Sequence, residues 1–262
     1  MNINRAYQGL IYGTMTYGFE TFTRNAIRKR FITSSPIVID STPLITVRKT
    51  AWKSALREWE WFMSGSDNIK DLHESVRKWW SPWADTNGRV RFNYGYQFRF
   101  WENYLDQIEW LIDNIIKHPM STRNIISTWN LSDMIHDECR ITNCHGTMIQ
   151  CFVDGNNALH LKTYQRSVDT ICGLPHNWIQ YWAFLMWLSH RTGKKVGNLI
   201  WIGGDVHIYE QHYEIAKKMM EIIPSFPPEL IYTPVGTEFK AENFSLDREY
   251  EYTLNETVEM VV

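Results

Sequence analysis

Apolar positions recur at helical spacing over residues 6–17 and Gly18 closes that segment, which predicts a first helix. Residues 24–33 and 37–39 have strand character, and 50–62 returns to helical spacing before stopping at Ser64-Gly65. Residues 101–117 read as an amphipathic helix closed by His118-Pro119. Strands are expected next at 124–129, 147–154 and 158–164, with Asp154-Gly155-Asn156-Asn157 as the hairpin turn joining the last two. A long apolar helix over 172–191, a strand over 196–202 and a helix over 206–222 follow; the residues beyond alternate too loosely to assign. Helices and strands interleave without the cadence of strand–helix–strand units. The expected fold is therefore α/β (α+β), layered around a mixed sheet. No repeat, low-complexity tract or linker divides the chain, so a single domain over 1–262 is expected.

With 44% apolar and 21% charged side chains, wholesale disorder is excluded. The 27 Lys and Arg against 29 Asp and Glu leave no basic footprint for nucleic acid. The longest apolar run, 181–188, is too short to span a bilayer, and the first residues lack a signal peptide's apolar stretch. A soluble, cytoplasmic protein without a membrane partner is expected. Cys139, Cys144, Cys151 and Cys172 contain no CxxC pair, so no metal or redox motif is indicated. Aromatic residues reach 15%, which suits a core and equally a cleft that binds flat rings.

Several short constellations carry candidate chemistry. Cys144-His145 offers a nucleophile if nearby cations favour the thiolate, or otherwise a core cysteine beside a histidine. Tyr164-Gln165-Arg166-Ser167-Val168-Asp169 ends a predicted strand before a helix, where guanidinium, hydroxyl and backbone donors suit an anion and, equally, Arg166 and Asp169 could form a surface pair. Gly173-Leu174-Pro175-His176-Asn177 opens the long helix; its spacing alone favours a turn with an N-cap, although Asn177 can also donate and accept at once, as reading a pyrimidine edge requires. In Gly204-Asp205-Val206-His207-Ile208-Tyr209, extended backbone would put His207 and Tyr209 on one face, able to grip a sugar hydroxyl. Asp205 and His207 could alternatively ligate a metal. Glu58 and Glu60 lie on an otherwise apolar segment rich in Trp; a carboxyl buried there would have its pKa raised towards neutrality, while one of the two can belong to a solvated face.

In order and spacing, these motifs together resemble the thymidylate synthase family. The resemblance extends to Trp80 and Trp83, to Tyr94-Gly95 with Gln97, to Ser121-Thr122-Arg123, and back to Tyr7, Gly18 and Arg24. It implies a mixed-sheet α/β sandwich, two subunits packed sheet against sheet as a homodimer, and one-carbon transfer from methylenetetrahydrofolate to C5 of a pyrimidine deoxynucleotide. Cys144 matches the nucleophile that adds to C6, Glu58 the general acid/base, and Tyr94 a residue that helps remove the C5 proton. Arg24, Arg166 and Ser167 fall on phosphate-binding positions, and Arg123 on one that reaches across the dimer. His207 and Tyr209 match the sugar-hydroxyl positions. Asp169 matches the catalytic residue that binds the pterin; Trp80, Trp83, Ile141, Gly173 and His176 surround the folate. Asn177, rather than Asp, points to dUMP.

Departures from the family pattern bear on the product. Asn143 replaces the proline before the nucleophile, Thr122 replaces a phosphate arginine, and His176 and Ala51 alter the folate wall. Phe92-Asn93-Tyr94-Gly95 is similar to the corresponding segment of dCMP hydroxymethylases, and the tail lacks the Pro-His-Pro of the synthases. If water reaches the C5 methylene, 5-hydroxymethyl-dUMP forms; if the site stays dry, hydride transfer gives dTMP and dihydrofolate. The altered tail tips the expectation narrowly to a dUMP hydroxymethylase, with thymidylate synthase as the alternative. A dCMP hydroxymethylase or an inactive RNA-binding homologue ranks lower.

Overall fold

The computed structural model describes residues 2–23, 25–136, 139 and 143–261. In chain order the elements are α1 (Ile3–Tyr17), β1 (Phe19–Phe22), β2 (Arg28–Ile32), β3 (Ile37–Ile39), α2 (Trp52–Ser64), α3 (Glu74–Trp80) and α4 (Tyr94–Arg99). There follow α5 (Gln107–Lys117), β4 (Ile125–Ile126), α6 (Leu131–Met134), β5 (Met148–Val153) and β6 (Ala158–Asp169). The chain then forms α7 (Leu174–Thr192), β7 (Lys195–Tyr209), α8 (Tyr213–Glu221), β8 (Leu230–Tyr232) and β9 (Phe244–Leu246). A seven-stranded sheet runs β1-β2-β7-β6-β5-β4, with β3 also on β7; β8 and β9 pair separately. Among the described strands of this sheet only β6 and β7 pair in parallel, so the sheet is mixed as expected.

α7 is buried almost all round because it lies between the sheet and α2, which explains its lack of a polar stripe. Trp178 on α7 meets Trp201 on β7 edge to face, at 5.6 Å between ring centroids. Leu159, Leu161 and Thr163 of β6 and Leu199 and Trp201 of β7 point into this layer and are fully buried. The intervening positions form the opposite face. Val38, Ile200 and Lys162 lie in one cross-strand row and Ile202, Tyr164 and Met148 in another, all half-buried or exposed.

Several predicted elements are corrected. Residues 206–209, expected to start a helix, extend β7, because β6 pairs on one flank (Val168↔Val206, Asp169↔His207) and β2 on the other (Ile32↔Val206, Lys29↔Tyr209). Ladder bonds on both sides override local helical spacing. For the same reason Arg166 and Ser167 sit within β6 rather than at a helix start. The helix expected over 172–191 begins at Leu174, after Gly173, and ends at Gly193 in the left-handed region (φ 66°). Residues 101–105 form a closed turn, and α5 starts only where the Asp106 side chain caps the amides of Ile108 and Glu109. The strand expected over 24–33 shortens to β2, with Arg24 outside the described residues, and that over 124–129 shortens to β4. The Asp154–Asn157 turn forms as expected: Asp154 Oδ1 accepts from the Asn156 and Ala158 amides, both at 2.9 Å.

Candidate active site

The C-terminal halves of β6 and β7 lie side by side, and alternating residues project from them into one cavity of about 1180 Å³. Gln165, Ser167 and Asp169 come from β6, and Asp205, His207 and Tyr209 from β7. α2 adds Glu58, α3 adds Trp79 and Trp80, α4 adds Tyr94, and the start of α7 adds His176 and Asn177. Single-ligand clefts commonly measure roughly 300–1,000 Å³, so this cavity has room for two ring systems.

Cys144 stands at the floor of the cavity. The Tyr94 hydroxyl lies 3.0 Å from its Sγ, within hydrogen-bond reach, and accepts the Cys144 amide proton at 2.9 Å. Burial raises the Cys144 pKa, while the Tyr94 hydroxyl and the Arg166 guanidinium pull it back down. Tyr94 is held far above the ordinary phenol range, chiefly by burial, so it stays a donor. Close packing places it there: a Cβ on Gly95 would lie 2.7 Å from the Phe62 carbonyl, so only glycine lets α4 approach α2 this closely. His145 is not a base for the thiol. Burial among Trp59, Phe62, Tyr94 and Tyr181 pushes its pKa down to about 3, so the ring is neutral. Asn143, in place of proline, is anchored by donating to the Thr128 and Phe92 carbonyls, and its own carbonyl accepts from Arg166 Nε at 3.4 Å.

Glu58 lines the cavity beside Trp80, and burial raises its pKa to about 7 against the two donors that lower it. Trp80 Nε1 donates to one carboxyl oxygen (2.5 Å) and Gln180 Nε2 to the other (2.7 Å). Asn177 accepts from Gln165 at 2.7 Å and donates to Gln180 at 3.2 Å, so amides connect the asparagine to the glutamate.

Along the opposite wall, Asp205 accepts from Lys29 Nζ at 2.6 Å and from His207 Nδ1 at 2.9 Å. A carboxylate only accepts, so Nδ1 carries a proton; Nε2 is buried and has no hydrogen-bond partner among the described residues. Both Asp205 oxygens are thereby engaged within the protein, which weighs against the metal reading of this pair. Asp169 Oδ1 accepts the amides of Ile171 and Cys172, and its Oδ2 lies 3.7 Å from His212 Nδ1. The His176 ring bridges the Cys172 carbonyl and the Ala51 amide, and burial lowers its pKa to about 4.

The C-terminal segment crosses the cavity mouth. It is fixed at its root where Leu254 pairs with residues 47–49. Farther on, the Glu259 carbonyl accepts from His212 Nε2 at 3.0 Å and faces Cys172 Sγ at 3.5 Å. Asn255, Thr257, Val258, Met260 and Val261 line the cavity beneath it.

The chain matches the family described as Thymidylate synthase over residues 5–262. The chain belongs to the thymidylate synthase family. The thymidylate synthase of Corynebacterium aurimucosum is 35% identical over 195 residues, covering 73% of this chain and 71% of that protein. That of Buchnera aphidicola from Acyrthosiphon pisum is 38% identical over 192 residues, covering 72% of this chain and 71% of that protein. The thermostable thymidylate synthase A of Bacillus subtilis superposes with a TM-score of 0.87 at 25% identity, over 100% of this chain and 99% of that one. The fold is thus the family's mixed α/β fold.

Of the residues that sequence reasoning selected, Glu58, Trp80, Trp83, Tyr94, Cys144, Arg166, Ser167, Asp169, Gly173, His176, Asn177, His207 and Tyr209 all line this single cavity. Arg123 does not; it lies on the turn before β4, beside a separate surface hollow. Arg24 and Ile141 lie outside the described residues. The sequence reading missed Gln180, whose signal was a lone amide inside an apolar helix, one turn beyond Asn177. It also missed Lys29 as the partner of Asp205, a pairing across strands that spacing does not reveal.

Proposed function

We propose that the chain transfers the one-carbon unit of 5,10-methylenetetrahydrofolate to C5 of dUMP, giving dTMP. One observation carries this reading: a thiol held at 3.0 Å by a phenol shares a cavity with a pyrimidine-reading asparagine and a near-neutral glutamate. Cys144 adds as thiolate to C6, which makes C5 nucleophilic, and leaves again when the C5=C6 bond re-forms. The folate supplies the carbon and, for dTMP, the hydride that reduces it. Glu58 exchanges protons with the pyrimidine while the carbon donor departs, and Tyr94 takes part in removing the C5 proton. Arg166, Ser167 and Arg24 bind the phosphate, and His207 and Tyr209 bind the sugar hydroxyl. The donor set fits a folate: Trp80, Trp83 and Gly173 offer a flat wall, and Asp169 keeps one oxygen for a pterin N–H.

Hydride transfer needs a dry site, and the tail over the cavity mouth supports the methylated product. A second reading, 5-hydroxymethyl-dUMP with tetrahydrofolate, is favoured by the altered folate wall at Ala51 and His176. Mass spectrometry of the nucleotide product, with absorbance followed for dihydrofolate, separates the two. A gained methyl with stoichiometric dihydrofolate is expected; a hydroxymethyl without dihydrofolate would replace the first reading by the second.

The subunit arrangement belongs to the same proposal. The half-exposed rows Val38-Ile200-Lys162 and Ile202-Tyr164-Met148 are the face on which two copies would pack, carrying Arg123 to the partner's phosphate site. Sedimentation at micromolar concentration is expected to give a dimer. A monomer that is fully active would remove Arg123 from the site.

A further inference from the structure

A directional chain of amides fixes which way Asn177 faces. Trp201 Nε1 donates to Gln165 Oε1 at 2.9 Å, and Gln165 Nε2 donates to Asn177 Oδ1 at 2.7 Å. Asn177 Nδ2 donates to Gln180 Oε1 at 3.2 Å, and Gln180 Nε2 donates both to the Ala55 carbonyl at 2.9 Å and to Glu58 Oε2 at 2.7 Å. Amide oxygens and nitrogens are interchangeable in shape, but the two ends of this chain are not. An indole N–H can only donate and a backbone carbonyl can only accept. Every amide between them is therefore set in one sense, and all three are buried.

We propose that Trp201 and Gln180 lock the Asn177 amide in the orientation that accepts uracil and rejects cytosine, making them positioning residues for base choice. This rests on the dUMP reading above and extends it. In the locked state Asn177 retains one acceptor site on Oδ1 and one N–H on Nδ2 for a ligand. Uracil offers the complement, an N3–H donor beside the O4 acceptor, whereas cytosine offers an N3 acceptor beside an amino donor. Turning Asn177 over to suit cytosine would face its nitrogen to Gln165 Nε2 and its oxygen to Gln180 Oε1. Those donor–donor and acceptor–acceptor contacts are relieved only if every amide turns, and the chain's fixed ends forbid that. Because Gln180 also holds Glu58, the residue that orients the base reader orients the proton carrier too.

The test compares kcat/KM for tritium release from C5-labelled dUMP and dCMP in the full-length wild type, Gln180→Met and Trp201→Phe. Gln180→Met keeps side-chain bulk, Trp201→Phe keeps an aromatic ring at the cost of a smaller one, and each removes one link of the chain. The dUMP preference is expected to fall about tenfold or more in each, since a site that hydrogen-bonds its substrate discriminates through the groups it would leave unpaired. Gln180→Met should also move the pH inflection of kcat upward, because a donor to Glu58 is lost, while Trp201→Phe should leave it in place. Asn177→Asp, which changes the reader itself, should shift preference towards dCMP whatever the lock does. If wild type shows no preference for dUMP, the base reading falls and the lock with it. If wild type prefers dUMP and both folded variants keep that preference while losing rate on both substrates alike, the lock alone falls. Should Gln180→Met not fold, Trp201→Phe, which keeps a ring in the core, decides the same question.

Discussion

Replacing Cys144 by serine is expected to lower turnover on dUMP by a factor on the order of 10³ or more while leaving dUMP binding within a few-fold. The hydroxyl is nearly isosteric but its pKa lies far above that of a thiol, so almost no anion exists to attack C6. Tyr94 and Arg166, which stabilise a thiolate here, cannot make up that difference for an alcohol. The side chains proposed to contact phosphate, sugar and base are others, so affinity should survive. With methylenetetrahydrofolate present, a dUMP analogue with fluorine at C5 gives a direct readout: once C5 has bonded to the one-carbon unit, fluorine cannot leave as a cation, the C5=C6 bond cannot re-form and the Cys144–C6 bond persists. Wild type should show the protein–nucleotide mass after denaturation and Cys144→Ser should not. An adduct that persists in the serine variant, or one mapped to Cys172, would transfer the nucleophile's role elsewhere.

The second large effect concerns Glu58. Glu58→Gln is expected to cut kcat by about 10²–10⁴, the usual size of a lost general acid/base, with a smaller change in KM for dUMP. The proton-donating form of Glu58 is populated below about pH 7, so a step that needs it slows as pH rises through that value. The glutamine variant should be slow and flat across the same interval.

Stability should move with the same group. The carboxyl titrates near 4.5 when unfolded and near 7 when folded, so from pH 4.5 upward the unfolded chain loses its proton first. Wild type is thereby destabilised progressively up to about pH 7, by roughly 3 kcal/mol in all. Glu58→Gln lacks that titration. Its stability relative to wild type should therefore rise by about that amount between pH 4.5 and 7.5, whatever offset arises from setting an amide beside two donors. Parallel urea midpoints for the two proteins across that interval would rule out the buried, neutral glutamate.

The sequence by itself determined the family and the broad architecture. The motifs proposed as nucleophile, phosphate site, base reader and sugar site follow in fixed order, and each depends on residue type and local spacing. The Asp154–Asn157 hairpin was legible for the same reason, since Asp154 makes its turn within five residues. The long apolar stretch was legible as a buried helix, although its first turn was misplaced. Tertiary structure decided everything set by partners distant in sequence. Residues 206–209 became strand only because β2 and β6 pair on either side of them. Arg166 and Ser167 meet their site from within a strand for the same reason. The near-neutral pKa of Glu58 comes from its desolvation in the assembled fold, and its second donor comes from 122 residues away. The sense of the Asn177 amide is set by Trp201 and Ala55, neither of which stands near it in the chain. Hydrogen-bond direction and desolvation are properties of the assembled core, and no local pattern of residues encodes them.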